Sequence, residues 1–240
     1  MKTYKNILKV LLALSVIGVV VLLSLYTGYL RFNYPTFEEY PIQGIDVSHH
    51  QKEIKWGQID KQEAQFVFIK ATEGGDFKDK AFKRNWDEAK KYNLVVGAYH
   101  FFTFCKSGEE QSKNFIETVP LENGVLPPVI DLEFGGNCST TKNKEDIIKE
   151  INVLENNLYR YYKKKPILYV TEPFYNKFLI GRFEDNPLWF RDVYKTPQIK
   201  NGRNWTFWQY GNRGHLNGIE AYVDLNVFNG TAKDFEQLIK

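Results

Sequence analysis

Asp131-Leu132-Glu133 ends an otherwise apolar run, Pro-Pro-Val-Ile-Asp-Leu-Glu. On a β-strand, alternation puts Asp131 and Glu133 on one face and Leu132 on the other. Two carboxylates some ~7 Å apart along one face repel when both are ionised, so one keeps its proton toward neutral pH. A carboxylic acid still protonated near neutrality is what glycosidic bond cleavage requires. Two further acids sit in apolar strand-like runs, Asp46 in IQGIDVS and Asp224 in YVDLN. An acid there is costly to bury unless it is partnered. Singly, each reads equally well as a helix cap or the partner of a lysine. Four on segments far apart in sequence point to a shared site. His49 and His50 follow Asp46, but only His100 and His215 remain as further histidines, and no HExxH or H-x-H spacing occurs. The expectation is no metal and no cofactor, with the two histidines bonded to loop backbone or lining a cleft.

The elements that must carry these acids alternate. Strand-like runs fall at 42–48, 66–71, 94–101, 128–133, 167–171, 187–191, 205–210 and 222–226. Between them lie amphipathic stretches at 79–92, 108–118 and 144–164, the last with Ile147, Ile151, Leu154, Leu158 and Tyr161 at helical spacing. Buried strands alternating with such helices predict a parallel sheet, with function at the C-terminal ends of its strands. Eight strands in about 200 residues predict a single α/β domain, a β/α barrel of the TIM-barrel kind. It is expected to be irregular, because helical pattern fades after residue 180.

Residues 42–240 are preceded by a different kind of sequence. Val10 to Leu30 carries no charge and as a helix would span ~31 Å, close to the hydrocarbon thickness of a bilayer. Lys2, Lys5 and Lys9 stand before it, which predicts a cytoplasmic tail at 1–9, a transmembrane anchor at 10–30 and the remainder extracytoplasmic. A cleaved signal peptide, giving a secreted protein, is the competing reading, although no good small-x-small site follows. Residues 31–41 read as a tether. Net charge is +3, of which +2 lies in residues 1–40, and nothing supports nucleic-acid binding. A monomer is expected. Aromatic content is 16%, which suits a sugar-binding cleft as well as a core.

Several motifs stand in one order: GIDVSHHQ (44–51) with Ile54 and Trp56, FIKATEG (68–74), the Phe82, Asn85, Trp86, Ala89 spacing, VGAYHFF (96–102), PPVIDLE (127–133), ILYV (167–170), WQY (208–210) and GIEAYVDLN (218–226). Together they resemble glycoside hydrolase family 25, the N-acetylmuramidases of the lysozyme class. The resemblance implies an irregular β/α barrel acting on peptidoglycan glycan strands. It implies Glu133 as general acid, and Asp131 as the group that orients and stabilises the substrate's acetamido group. That group would attack the anomeric carbon itself, giving retention without a protein nucleophile. It further implies Asp46 and Asp224 in the same cleft, with Tyr99, Tyr169, Phe101, Trp208 and Gln209 against the sugar. For each aromatic the alternative is plain barrel core. A catalytically silent, peptidoglycan-binding barrel is the alternative function, against which all four acids speak. A metal-dependent hydrolase using Asp46, His49 and His50 is a third.

Two features depart from the family pattern. Trp189-Phe190-Arg191-Asp192 is bulkier than the small-residue segment expected after the tryptophan. Cys105 and Cys138 follow neighbouring strands, whose loops should emerge side by side. A disulfide between them is expected, closing a loop of 34 residues. Three Asn-x-Ser/Thr sequons, at Asn137, Asn204 and Asn229, read as chance.

Overall fold

The computed structural model describes residues 2–240. Eight strands close into a barrel: β1 (Gln43–Val47), β2 (Phe66–Glu73), β4 (Val95–Phe101), β5 (Val129–Leu132), β6 (Ile167–Thr171), β7 (Leu188–Arg191), β8 (Phe207–Gly214) and β9 (Val223–Phe228). A two-residue β3 (Phe77–Lys78) hairpins back onto β2. Helices α2 (Phe82–Lys91), α3 (Gly108–Ile116) and α4 (Lys144–Tyr162) cover the outside, and α5 (Glu172–Phe174) runs on as a π-turn over Tyr175–Leu179. After that, the described residues hold one more helix, α6 (Ala232–Ile239).

The sheet is not wholly parallel. The barrel strands from β1 to β8 pair in parallel, the β3 hairpin aside, but β9 is antiparallel to both β8 and β1. The reason is the connection. Only residues 215–222 separate β8 from β9, and a parallel return needs a crossover of about a dozen or more. Asp224 therefore stands near the start of its strand and not at its C-terminal end. Reversal of β9 still brings it to the same rim.

Alternation sorts side chains into two layers. Ile45, Val47, Val67, Ile69, Ile130, Leu132, Leu168 and Val170 point outward and pack against Trp86, Phe115, Ile151 and Leu154 of the helices. Phe66, Phe68, Val129, Ile167, Trp189 and Phe207 point inward and fill the barrel floor, which Phe235 of α6 plugs from below. Gly44 and Gly97 make room for that floor: a Cβ at Gly44 would lie 2.5 Å from the Phe66 ring, and one at Gly97 2.7 Å from that of Phe68. One step higher on each strand the inward residues turn polar, so the site sits on a rigid aromatic base.

The N-terminal helix α1 (Lys2–Thr27) includes a candidate span, Tyr4–Thr27, whose most apolar 18 residues have mean hydropathy 2.7 and are not buried. It is long and apolar enough to cross a membrane. It stops at Thr27, short of Leu30, because Gly28 turns the chain at φ +88°. The segment that follows packs on the barrel. Tyr29 stacks on His215 at 4.1 Å, Asn33 donates to the carbonyls of Val193 and Tyr210, and Tyr34 packs edge-on against Tyr210.

Candidate active site

Asp46 is the buried centre of the upper layer. Its Oδ2 accepts from Gln209 Nε2 and from Asn226 Nδ2, both at 2.8 Å. Each amide is oriented by an aromatic donor: Tyr169 Oη donates to Gln209 Oε1 at 3.0 Å, and Trp189 Nε1 donates to Asn226 Oδ1 at 2.8 Å. The indole N–H can only donate, so Asn226 must present its NH₂ to Asp46. Burial raises the Asp46 carboxyl, while the bonds from Asn226 and Gln209 hold it down. Asp224 faces Asp46 in register and is hydrogen-bonded to it. Burial first, and then the Asp46 charge, put Asp224 well above the usual carboxylate range. The two amide donors favour ionised Asp46, so a proton shared by the pair is favoured on Asp224.

Asp131 and Glu133 rise from β5 on the same rim. Asp131 is buried, and its Oδ1 has no hydrogen-bond partner among the described residues. Burial, then the charge of Glu133, raise it well above the ordinary range. Glu133 is less enclosed. Burial raises it, and Arg191 and Lys70 pull it down while Asp46 pushes it up. Both carboxyls are thus shifted upward, not one alone, because each lies in the low-dielectric barrel mouth.

The rest of the wall follows from alternation. Tyr99 and Tyr169 point inward, their phenols held protonated by burial. Phe101 lies at the rim, with the Lys70 ammonium 5.2 Å from its ring centre. Trp208 does not join them. Adjacent to inward Gln209 on β8, it must face the other way, where it lies buried in the outer layer against Tyr40, Trp205 and Tyr210 and donates to the Asp192 carbonyl. Three inward residues escaped the sequence reading of the site: Lys70, Arg191 and Asn226. Each belongs to an inward series, Phe66-Phe68-Lys70, Trp189-Arg191 and Asp224-Asn226-Phe228, and a polar residue on the rim side of such an aromatic series was the signal.

His49 is paired with a further acid, Asp79. Its Nδ1 and backbone N–H both engage Asp79, at 2.7 and 3.0 Å. Among the described residues, no cluster of three histidine, cysteine, aspartate or glutamate side chains is spaced to hold a metal ion.

The loops after β4 and β5 are tied together beside Glu133. Cys105 and Cys138 form a disulfide, with Cα atoms 6.2 Å apart. Asn137 reinforces it: its Nδ2 donates to the carbonyls of Phe102 and Glu133, and its Oδ1 accepts from the Phe104 and Cys138 amides. This amide is fully engaged within the fold, in keeping with a chance sequon.

Comparison with known proteins places this geometry. The family model "Glycosyl hydrolases family 25" matches residues 45–219. Lysozyme M1 of Streptomyces globisporus is 33% identical over 210 residues, covering 80% of this chain and 69% of that one. The family 25 glycosyl hydrolase of Bacillus anthracis superposes with a TM-score of 0.82 at 42% identity, over 88% of this chain and 99% of that one. A lysozyme of Streptomyces coelicolor superposes with a TM-score of 0.74 at 30% identity, over 82% and 96%. With its carboxylates gathered at the mouth of such a barrel, the chain belongs to family 25 of the glycosyl hydrolases.

Proposed function

We propose that this enzyme hydrolyses peptidoglycan, cutting the β-1,4 bond from N-acetylmuramic acid to N-acetylglucosamine, with Glu133 as acid and the substrate's own acetamido group as nucleophile. The carrying observation is the Asp131–Glu133 pair, with the unpartnered Asp131 Oδ1 buried beside the more open Glu133. An acetamido N–H is the donor that this oxygen lacks. Such a donor stabilises ionised Asp131 and leaves the pair's proton with Glu133. Glu133 then protonates the leaving oxygen while the acetamido oxygen attacks the anomeric carbon, and Asp131 offsets the positive charge developing on nitrogen. Water, deprotonated by Glu133, opens the cyclic intermediate from the same face and regenerates the acid. The configuration is retained. Asp46 holds the floor of the site through the Gln209 and Asn226 amides, with Asp224 bonded to Asp46.

Digestion of purified peptidoglycan tests this. New reducing ends should be N-acetylmuramic acid, and N-acetylglucosamine ends would overturn the reading. EDTA should leave the rate unchanged.

The same reading places the barrel outside the cytoplasmic membrane, anchored by α1. Lysines precede an apolar helix, the segment after it is packed on β8, and a disulfide suits an oxidising compartment. Full-length protein should fractionate with membranes. A soluble form beginning near residue 28 would instead establish a cleaved signal.

A further inference from the structure

Arg191 occupies an unusual position. On β7, Leu188 and Phe190 belong to the outer layer and Trp189 to the barrel interior, so Arg191 is the next inward residue. It lies in register between Thr171 on β6 and Gln209 on β8, at the height of the carboxylates. Its charge is felt there: it draws Asp46, Glu133 and Asp224 downward against burial.

The other cation of the barrel mouth, Lys70, is paired with Glu73 at 2.7 Å. Before β8, Arg203 likewise gives its fork to the carbonyls of Phe183 and Asn186 and pairs with Glu184. Among the described residues, Arg191 makes neither an ion pair nor a side-chain hydrogen bond, although it is half-buried. Its five N–H donors therefore have no protein acceptor among the described residues. A planar guanidinium is best matched by a planar anion held by two parallel bonds.

The substrate class supplies one such group. N-acetylmuramic acid differs from N-acetylglucosamine by a lactyl ether ending in a carboxyl. While a stem peptide is attached, that carboxyl is a neutral amide, and once the peptide has been removed it is a free carboxylate. A cleft lined by Asp46, Asp131, Glu133 and Asp224 would repel a carboxylate unless a fixed cation received it. We propose that Arg191 forms a carboxylate subsite for the free lactyl group of muramic acid, so that peptide-free glycan is the preferred substrate. The enzyme would then consume the product of a hydrolase that cleaves the muramoyl–peptide amide bond. This inference rests on the muramidase reading.

Two measurements on the full-length protein in detergent test it. The first is equilibrium binding of free N-acetylmuramic acid, its methyl ester and N-acetylglucosamine, followed by calorimetry. The acid should bind at least about tenfold more tightly than the ester, a hydrogen-bonded charge pair being worth roughly that much. Arg191→Gln should abolish this discrimination, and Arg191→Lys should keep part of it through charge without the fork. Thermal melts of both variants verify folding. The second is kcat/KM on glycan of matched length with and without stem peptides. Wild type should favour the peptide-free chains, and Arg191→Gln should lose that preference selectively. Equal binding of acid and ester by wild type overturns the proposal. So does an Arg191→Gln variant that slows both glycans alike while only shifting its pH profile, since the arginine would then act on carboxyl protonation alone. If the acid is discriminated but neither glycan is cut, the subsite stands and the muramidase reading falls.

Discussion

Asp46 of β1 and Asp224 of β9 face one another across an antiparallel ladder, and two amide donors on Asp46 favour its ionised form, so a proton shared by the pair is favoured on Asp224. The two are therefore not equivalent. Asparagine at 224 resembles the protonated acid already there. Asparagine at 46 can still offer one oxygen to the Gln209 and Asn226 amides, but it removes the negative charge that those donors stabilise. Asp46→Asn should lower stability by about 1–3 kcal/mol and reduce kcat far more than Asp224→Asn does. Paired thermal melts and reducing-end assays check this, and equal losses at the two positions would contradict the proton assignment.

Glu133 and Asp131 should separate by role. Glu133→Gln removes the acid and should cost roughly 10²–10⁴-fold on natural glycan. On an aryl glycoside with a good leaving group it should recover much of its rate. Asp131→Asn should not recover, because its task concerns the acetamido nitrogen and not the leaving oxygen. The pH profile carries a matching sign. Burial raises Glu133, so activity should persist above the ordinary carboxylate range and fall as pH rises through its raised pKa. Asp131→Asn removes a like charge and should move that alkaline limb to lower pH.

Much of this site could be read because a two-residue period decides what shares a face. Asp131 with Glu133 needed nothing more. Strand direction is different, since local pattern is the same for either sense of β9. The short 215–222 connection was the clue that made Asp224 a strand-start residue. The same period, applied strictly, separates Trp208 from Gln209: adjacent residues cannot both face the sugar, and the polar one in an apolar run belongs to the site. Arg191 drew notice for its bulk, whereas its charge two positions after inward Trp189 was the informative property. The Asp46 amide network depends on side chains from β1, β6, β7, β8 and β9 meeting in space, which no local window contains.

The disulfide and the Asn137 clamp make different predictions. Cross-linking positions 105 and 138 should constrain the unfolded chain by roughly 3–4 kcal/mol. The Asn137 bonds survive reduction. Cys105→Ser/Cys138→Ser should therefore melt at lower temperature yet retain near-normal activity well below that melt. Asn137→Ala should loosen the loop holding Glu133 and lower kcat with the disulfide intact. Thiol titration of the unfolded, unreduced wild type should find no free cysteine.

His100 should make stability depend on pH independently of catalysis. It is fully buried between β4 and α3, where Gln111 Oε1 accepts from its Nε2 at 3.1 Å and its Nδ1 accepts from Thr72 Oγ1 at 2.7 Å. Burial lowers its pKa from 6.5 to about 4. A histidine lowered in the fold takes up its proton more readily when unfolded, so acid favours unfolding. The neutral form's advantage is fully present above pH 6.5, declines as pH falls through the window from 6.5 to about 4, and changes no further below it. A shift of this size corresponds to about 3 kcal/mol across the window. Denaturant unfolding of wild type and His100→Gln at pH 7.5, 5.5 and 4.5 separates this histidine from the carboxylates. Wild type should lose stability steadily toward pH 4.5, and the variant, whatever its absolute stability, should show a shallower slope. A variant with an unchanged slope would assign the acid sensitivity to other groups.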